Sequence, residues 1–188
     1  MTGLAETCLK WRGWRFVGDL PDLDKMIIIG APHTSNWDFV VYLAAIRHWR
    51  MSPHFVGKHT LFRWPFGFFF RRFGGIPIDR SRPGGMVGQV TEQFERSEEM
   101  ILVVAPEGTR KAAHYWKSGF ARIAAKAAVP IVPARIHFPN KEVALGPPIE
   151  FDGDEHRLMD RLRTFYEEGE GKDGAGMGPV RLRGERSV

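Results

Sequence analysis

His33 and Asp38 are the residues of this chain best suited to proton transfer. They lie in the stretch Ala31-Pro32-His33-Thr34-Ser35-Asn36-Trp37-Asp38. An aspartate that holds one ring nitrogen of an imidazole fixes its tautomer. It also steadies the imidazolium that forms when the other nitrogen takes a proton. Such a pair is a general base for a hydroxyl nucleophile. A plainer reading stands beside it. An aspartate near a helix start often only caps the helix, Ser35 or Asn36 can cap as well, and a histidine in a turn is often simply solvated.

Position favours the chemical reading. The apolar run Met26 to Ile29 leads straight into the pair and reads as a buried strand. Trp37 to Arg50 reads as a helix, so His33 falls at a strand end and Asp38 in or near the first helical turn. Two further apolar runs end in polar groups. Gly75-Ile76-Pro77-Ile78 is followed by Asp79-Arg80-Ser81-Arg82, and Met100 to Val104 runs into Ala105-Pro106-Glu107-Gly108-Thr109-Arg110. In a parallel α/β sheet the carboxyl ends of the strands share one edge, and ligands bind in the crevice there. Three distant segments then converge on one place.

The second and third clusters suit an anion. Arg80 and Arg110 each offer a planar fork of donors. Gly108 lets backbone amides approach closely, and Thr109 adds a hydroxyl. Glu107 can hold an arginine in place or accept a substrate hydroxyl. The competing readings are surface ion pairs of little energetic value, Asp79 with Arg80 or Glu107 with Arg110, and an ordinary turn at Pro106 to Thr109.

Taken in order, these segments resemble the glycerophospholipid acyltransferases, and among them the 1-acylglycerol-3-phosphate acyltransferase-like family. His33-x4-Asp38, Gly75 to Arg80, Pro106-Glu107-Gly108-Thr109-Arg110 and Val129-Pro130-Ile131-Val132-Pro133 match its four motifs, over about residues 26 to 135. Lys117-Ser118-Gly119 resembles the segment joining the third and fourth. The resemblance implies that His33 deprotonates the acceptor hydroxyl while Asp38 orients it. Arg80 would bind the acceptor phosphate, Arg110 would assist, and Glu107 and Gly108 would shape the acceptor site. The Val129–Pro133 segment would support the substrate pocket. The donor would be acyl-CoA or acyl carrier protein, as co-substrate rather than cofactor, and the acceptor a lysophospholipid-type alcohol with lysophosphatidate as the default. The alcohol would attack the thioester directly, without a covalent acyl-enzyme. Two positions depart from the common pattern: Pro32 stands where many members carry asparagine, and Ala105 where many carry phenylalanine. These bear on acceptor choice more than on reaction class.

At 188 residues one domain is expected, with apolar residues enough for a sizeable core. Cys8 is the only cysteine, which excludes an internal disulfide and a cysteine-rich metal site. The histidines fall into no His-Glu-x-x-His pattern, so no catalytic metal is expected. There is no Gly-x-Ser-x-Gly elbow, no Gly-x4-Gly-Lys-Ser/Thr loop and no Gly-x-Gly-x-x-Gly fingerprint, which weighs against serine hydrolase, nucleotidase and dehydrogenase readings. A net charge of +5 and a pI near 9.6 favour an anionic partner. No nucleic-acid motif accompanies that charge, so nucleic acid is not the expected partner. The absence of an apolar leader or a run long enough to span a bilayer suggests a cytoplasmic protein, peripheral on the inner face of the membrane.

Alternating strand and helix signals predict a single-domain α/β fold: a mostly parallel mixed sheet flanked by helices, with the active site at the carboxyl ends of the strands. Residues 1–25 read as an N-terminal amphipathic segment lying on a membrane or on the domain. Residues 26–168 form the catalytic domain, and 169–188 a glycine-rich, charged and disordered tail. Helices are expected at Trp37–Arg50, around Leu61–Phe73, at Met86–Ser97, Trp116–Ala128 and His156–Glu168. A late strand is expected within Val143–Phe151, broken by Pro147-Pro148. Leu61 to Phe73 holds seven aromatic residues and three arginines in thirteen positions. It reads either as a membrane-contact element or as a helix packing its rings inward. A peripheral lipid-binding protein without catalysis is the alternative function.

Overall fold

The computed structural model describes residues 2–64, 67–79, 81–82, 84–109, 113–167, 178–183 and 185. Seven strands form one sheet: β1 (Arg15–Val17), β2 (Lys25–Ala31), β3 (Pro53–Lys58), β4 (Gly75–Ile78), β5 (Met100–Val104), β6 (Ile131–His137) and β7 (Glu142–Leu145). Their spatial order is β1-β7-β6-β2-β5-β3-β4. Only β6 and β7 pair antiparallel; every other neighbouring pair is parallel. This is the predicted α/β architecture. β2 lies near the middle of the sheet, and β4, at one border, accommodates Pro77 because an edge strand need not donate every N–H.

β2 shows why the sheet is covered on both faces. Successive side chains of a strand point to opposite sides. Ile27, Ile29 and Ala31 pack with α4 (Gly85–Arg96), α5 (Gly119–Ala127) and α6 (Glu155–Tyr166). Met26 and Ile28 face the other way, toward Ala45 of α2 (Trp37–His48) and Met51. Ile27 and Ile29 are fully buried, each stabilising the fold by about 2 kcal/mol. Strand and helix therefore hold the His33 turn from beneath and from both sides.

The N-terminal segment belongs to this layered body. α1 (Thr2–Trp11) packs on α2 through the buried Leu9, beside Val41, Ala44 and Val143. Phe16 of β1 lies among the same groups, and β1 extends the sheet beside β7.

Several predicted boundaries move. The aromatic segment is not one helix. A 3-10 turn, His59–Phe62, is followed by the short α3 (Gly67–Arg72). Gly67 allows the break: a Cβ there would collide with the Phe62 carbonyl. α5 starts at Gly119, not Trp116, because Trp116 is extended and bridges Leu182 in parallel. The late strand stops at Leu145, and Ile149 forms a separate bridge to Ile131. Residues 168–177 lie outside the described residues. Beyond them Leu182, in the stretch expected to bury little, is buried against the core that contains Trp116.

Candidate active site

β2 and β5 are parallel neighbours, with Ile29 opposite Val104. The turns that follow them must therefore meet: Pro32-His33 on one side, Pro106-Glu107 on the other. The contact is a hydrogen bond. The His33 backbone N–H donates to Oε2 of Glu107 at 2.8 Å. Glu107 thus holds the histidine's own backbone, a role its sequence position did not suggest.

Asp38 braces the imidazole. Its Oδ2 lies 3.1 Å from His33 Nδ1. The same oxygen accepts the N–H groups of Thr34 at 2.7 Å and Ser35 at 2.9 Å. Asp38 sits in the first turn of α2 but its bonds reach backward, closing the loop onto the histidine rather than capping the helix. Asn36, at the N-cap position, makes no side-chain cap bond, whereas Ser35 Oγ accepts from the Trp37 N–H at 3.0 Å. The carboxylate of Asp38 is buried, while 34% of the His33 side chain is exposed. With Nδ1 committed to Asp38, Nε2 is the ring nitrogen left for a second partner.

The two carboxyl groups differ in electrostatics. At Asp38 burial pushes the pKa up. The bond to His33 and the two backbone donors outweigh it and hold the group below the ordinary carboxylate range. At Glu107 burial dominates and raises the carboxyl to about 7, against the lowering effect of the His33 N–H; the nearby Asp38 charge adds to the rise. One carboxylate is thus firmly charged beside the imidazole. The other changes protonation near neutrality.

Gly108 completes the turn with φ +64°, a left-handed conformation that favours glycine. A side chain there would also strike the end of Lys117. The Lys117 N–H donates to the Pro106 carbonyl at 2.9 Å, so Lys117 brings a cation onto the Glu107-Gly108 turn. The sequence marked Lys117 only as part of a joining segment, with no local signal of its place beside Gly108. Thr109 is exposed just beyond Gly108.

Arg80 and Arg110 lie outside the described residues. Asp79 follows β4 and accepts both the N–H and the hydroxyl of Ser81, at 2.9 and 2.6 Å. Because β2, β5, β3 and β4 are all parallel, this turn leaves the same sheet edge as His33. It is three strand spacings from β2, roughly 14 Å.

Support from behind comes from Tyr166, the last residue of α6. Its hydroxyl donates to the Ile29 carbonyl at 2.6 Å and accepts the Ala134 N–H at 3.2 Å, tying β2 to β6 just before the His33 turn. The Val129–Pro133 segment is the buried entry to β6. Among the described residues no group of three or more His, Cys, Asp or Glu side chains is placed to hold a metal ion, and no helix is long and apolar enough to cross a membrane.

The chain is similar to several known proteins. Over 114 residues the chain is 30% identical to the 1-acyl-sn-glycerol-3-phosphate acyltransferase of Streptococcus pneumoniae (strain ATCC BAA-255 / R6), covering 61% of this chain and 42% of that protein. It is 35% identical over 106 residues to the mouse (Mus musculus) 1-acyl-sn-glycerol-3-phosphate acyltransferase epsilon, covering 53% of this chain and 29% of that protein. The chain thus spans less than half the length of these two relatives. The crystal structure of the 1-acyl-sn-glycerophosphate (LPA) acyltransferase PlsC from Thermotoga maritima superposes with a TM-score of 0.63 at 17% identity, covering 88% of this chain and 75% of that one. At that identity the likeness is one of fold. The family model described as Acyltransferase matches residues 16–137, from β1 through β6. The chain belongs to the acyltransferase family.

Proposed function

We propose that this protein transfers a fatty acyl group from an acyl thioester, coenzyme A or acyl carrier protein, to the hydroxyl of a lysophosphatidate-type acceptor. The observation that carries this reading is the imidazole of His33, braced at Nδ1 by a buried carboxylate 3.1 Å away and still part-exposed. Nε2 takes the acceptor's hydroxyl proton as the oxygen attacks the thioester carbonyl. The carbon–sulfur bond then breaks, and the leaving thiolate takes the proton back from the imidazolium. A thioester is already activated, so the protein must chiefly deprotonate and position the alcohol. Lys117, with Arg80 and Arg110, would grip the acceptor phosphate. The names of the S. pneumoniae and mouse relatives agree with an acylglycerol phosphate acceptor.

The acceptor is an amphiphile, so the reaction belongs at a lipid surface, in our reading the inner face of the cytoplasmic membrane. Trp64 and Phe68 are 93% and 79% exposed, and Phe69 and Phe73 are about half exposed. Arg63, Arg71 and Arg72 interleave with them. Aromatic rings entering the headgroup layer, with arginines on lipid phosphates, fit that arrangement. The test is thiol release from an acyl thioester in the presence and absence of a lysolipid acceptor. Acceptor-dependent release that vanishes in His33→Ala supports the reading. Vesicle binding with no turnover across donors and acceptors would favour a lipid binder instead.

A further inference from the structure

Residues 178–183, with Glu185, run as a strap beside residues 113–117. Gly178 lies so close to the Ala113 carbonyl that a side chain there would collide with it. Leu182 bridges Trp116 in parallel, and the Trp116 N–H donates to the Arg181 carbonyl at 2.7 Å. Arg181 Nε donates to the His114 carbonyl at 3.1 Å, and the Arg183 guanidinium lies over the Tyr115 ring, 5.5 Å from its centroid. α6 fastens the strap from its other side. Arg163 donates to the Val180 carbonyl at 3.1 Å and to Oε1 of Glu185 at 2.9 Å, while Oε2 of Glu185 accepts the Leu182 N–H at 3.0 Å. None of these strap residues lies in the four sequence motifs.

Two adjacent residues carry the strap's hold to the site. Trp116 faces inward, its ring edge-on to Tyr166 with centroids 5.2 Å apart, in the same buried core as Leu182. Lys117 is exposed, and its side chain occupies the space that a Gly108 Cβ would need. The two backbone amides are fixed in different directions. The Trp116 N–H goes to the strap, and the Lys117 N–H goes to the Pro106 carbonyl at 2.9 Å. A lysine stem is long and flexible, so its ammonium meets an anion at one defined place only if the backbone beneath it is held.

We infer that this C-terminal strap is a positioning element for the acceptor: by fixing Trp116 it holds Lys117 over the Glu107-Gly108 turn, where the acceptor's phosphate is gripped. The inference rests on the acyl-transfer reading and adds to it a segment that acts on acceptor binding. Leu182, Arg163 and Glu185 are positioning residues, which act through Lys117. With the strap released, Trp116 loses its backbone partner and Lys117 keeps only its bond to Pro106. The acceptor phosphate then meets an ammonium that wanders. The base is spared, because the His33 turn is tied to Asp38 and Glu107 instead. Loss of the strap therefore weakens acceptor binding and leaves the proton transfer as it was.

The experiment is a double-mutant cycle on steady-state acyl transfer to lysophosphatidate, with wild type, Leu182→Ala, Lys117→Ala and the double variant. Leu182→Ala should raise the acceptor KM about tenfold or more, with kcat and the thioester KM unchanged, and Leu182→Met should restore it. In the Lys117→Ala background, Leu182→Ala should add nothing further, because both changes remove one grip. If Leu182→Ala does not fold, Arg163→Met, which frees the strap from a part-exposed position, replaces it in the same cycle. A fall in kcat at constant acceptor KM, full additivity with Lys117→Ala, or no restoration by Leu182→Met would overturn the inference, since a merely structural strap behaves in those ways. If wild type releases no thiol in response to acceptor, acyl transfer itself fails. Calorimetric titration with glycerol 3-phosphate then decides the strap. Binding to wild type that weakens about tenfold or more in Leu182→Ala upholds it, and binding that is absent or insensitive to Leu182→Ala rejects it.

Discussion

The turn that carries His33 and the segment that carries Trp64 follow opposite plans. Within six residues, His33 to Asp38, one carboxylate accepts two backbone N–H groups and the imidazole, and a second carboxylate holds the histidine backbone. The carboxylates there are turned inward, onto the loop's own backbone and ring. From Phe62 to Phe73 the arrangement reverses. Phe62 is the buried anchor, and Trp64, Phe68, Phe69 and Phe73 turn their rings to solvent. Phe69 and Phe73 lie against each other, with centroids 4.5 Å apart. Proton transfer needs atoms fixed to fractions of an ångström. Meeting a lipid surface needs only exposed area and charge.

The contrast can be broken from the chemical side first. His33→Ala should lower acyl transfer by about a thousandfold or more while its urea midpoint stays near wild type, because the side chain is part-exposed; a drop below tenfold would remove His33 from the role of base. Glu107→Gln should come next, and through stability. Gln keeps a carbonyl oxygen for the His33 N–H but has no charge to bury. The folded Glu107 pKa, about 7, lies above the unfolded value, so the wild type is favoured by its protonated form. Its stability is full below about pH 4.5, declines as pH rises to about 7, and stays low above that. The variant should therefore exceed wild type by roughly 3 kcal/mol at pH 8 and match it near pH 4. Urea melts across that range check it, and a pH-independent gap would contradict the burial of a charge.

The surface side should respond in the other currency. Trp64→Ala/Phe68→Ala removes exposed rings, so stability should change by less than about 0.5 kcal/mol. Sedimentation with anionic vesicles should weaken about tenfold or more, with turnover of a water-soluble short-chain acceptor retained. Undiminished sedimentation would assign the aromatic face to something other than lipid. The smallest effect expected is Arg72→Ala, about fivefold weaker vesicle binding for the loss of roughly 1 kcal/mol, and it should fade in high salt.

Local chemistry was readable in the sequence; long-range partnership was not. The run Met26 to Ile29 announced a buried strand because it is apolar on both faces. His33 and Asp38 are separated by four residues, a spacing that a single turn can close. Glu107 was legible as a site residue, but its bond to the His33 backbone depends on β2 and β5 lying side by side in register, a fact with no local signal. Trp116 was expected to open a helix, and its pairing with Leu182 sixty-six residues later overrode local propensity. A helix was expected around Leu61–Phe73, although Pro65 and Gly67 each disfavour a continuous helix for reasons internal to themselves.

The hydroxyl of Tyr166 links strands whose residues are made at very different times. During synthesis His33 and Asp38 emerge early, and the phenol that clips β2 to β6 emerges more than a hundred residues later. A growing chain therefore carries the His33 turn long before the wall behind that turn can be locked. The support behind the His33 turn is complete only once α6 has been made and has docked.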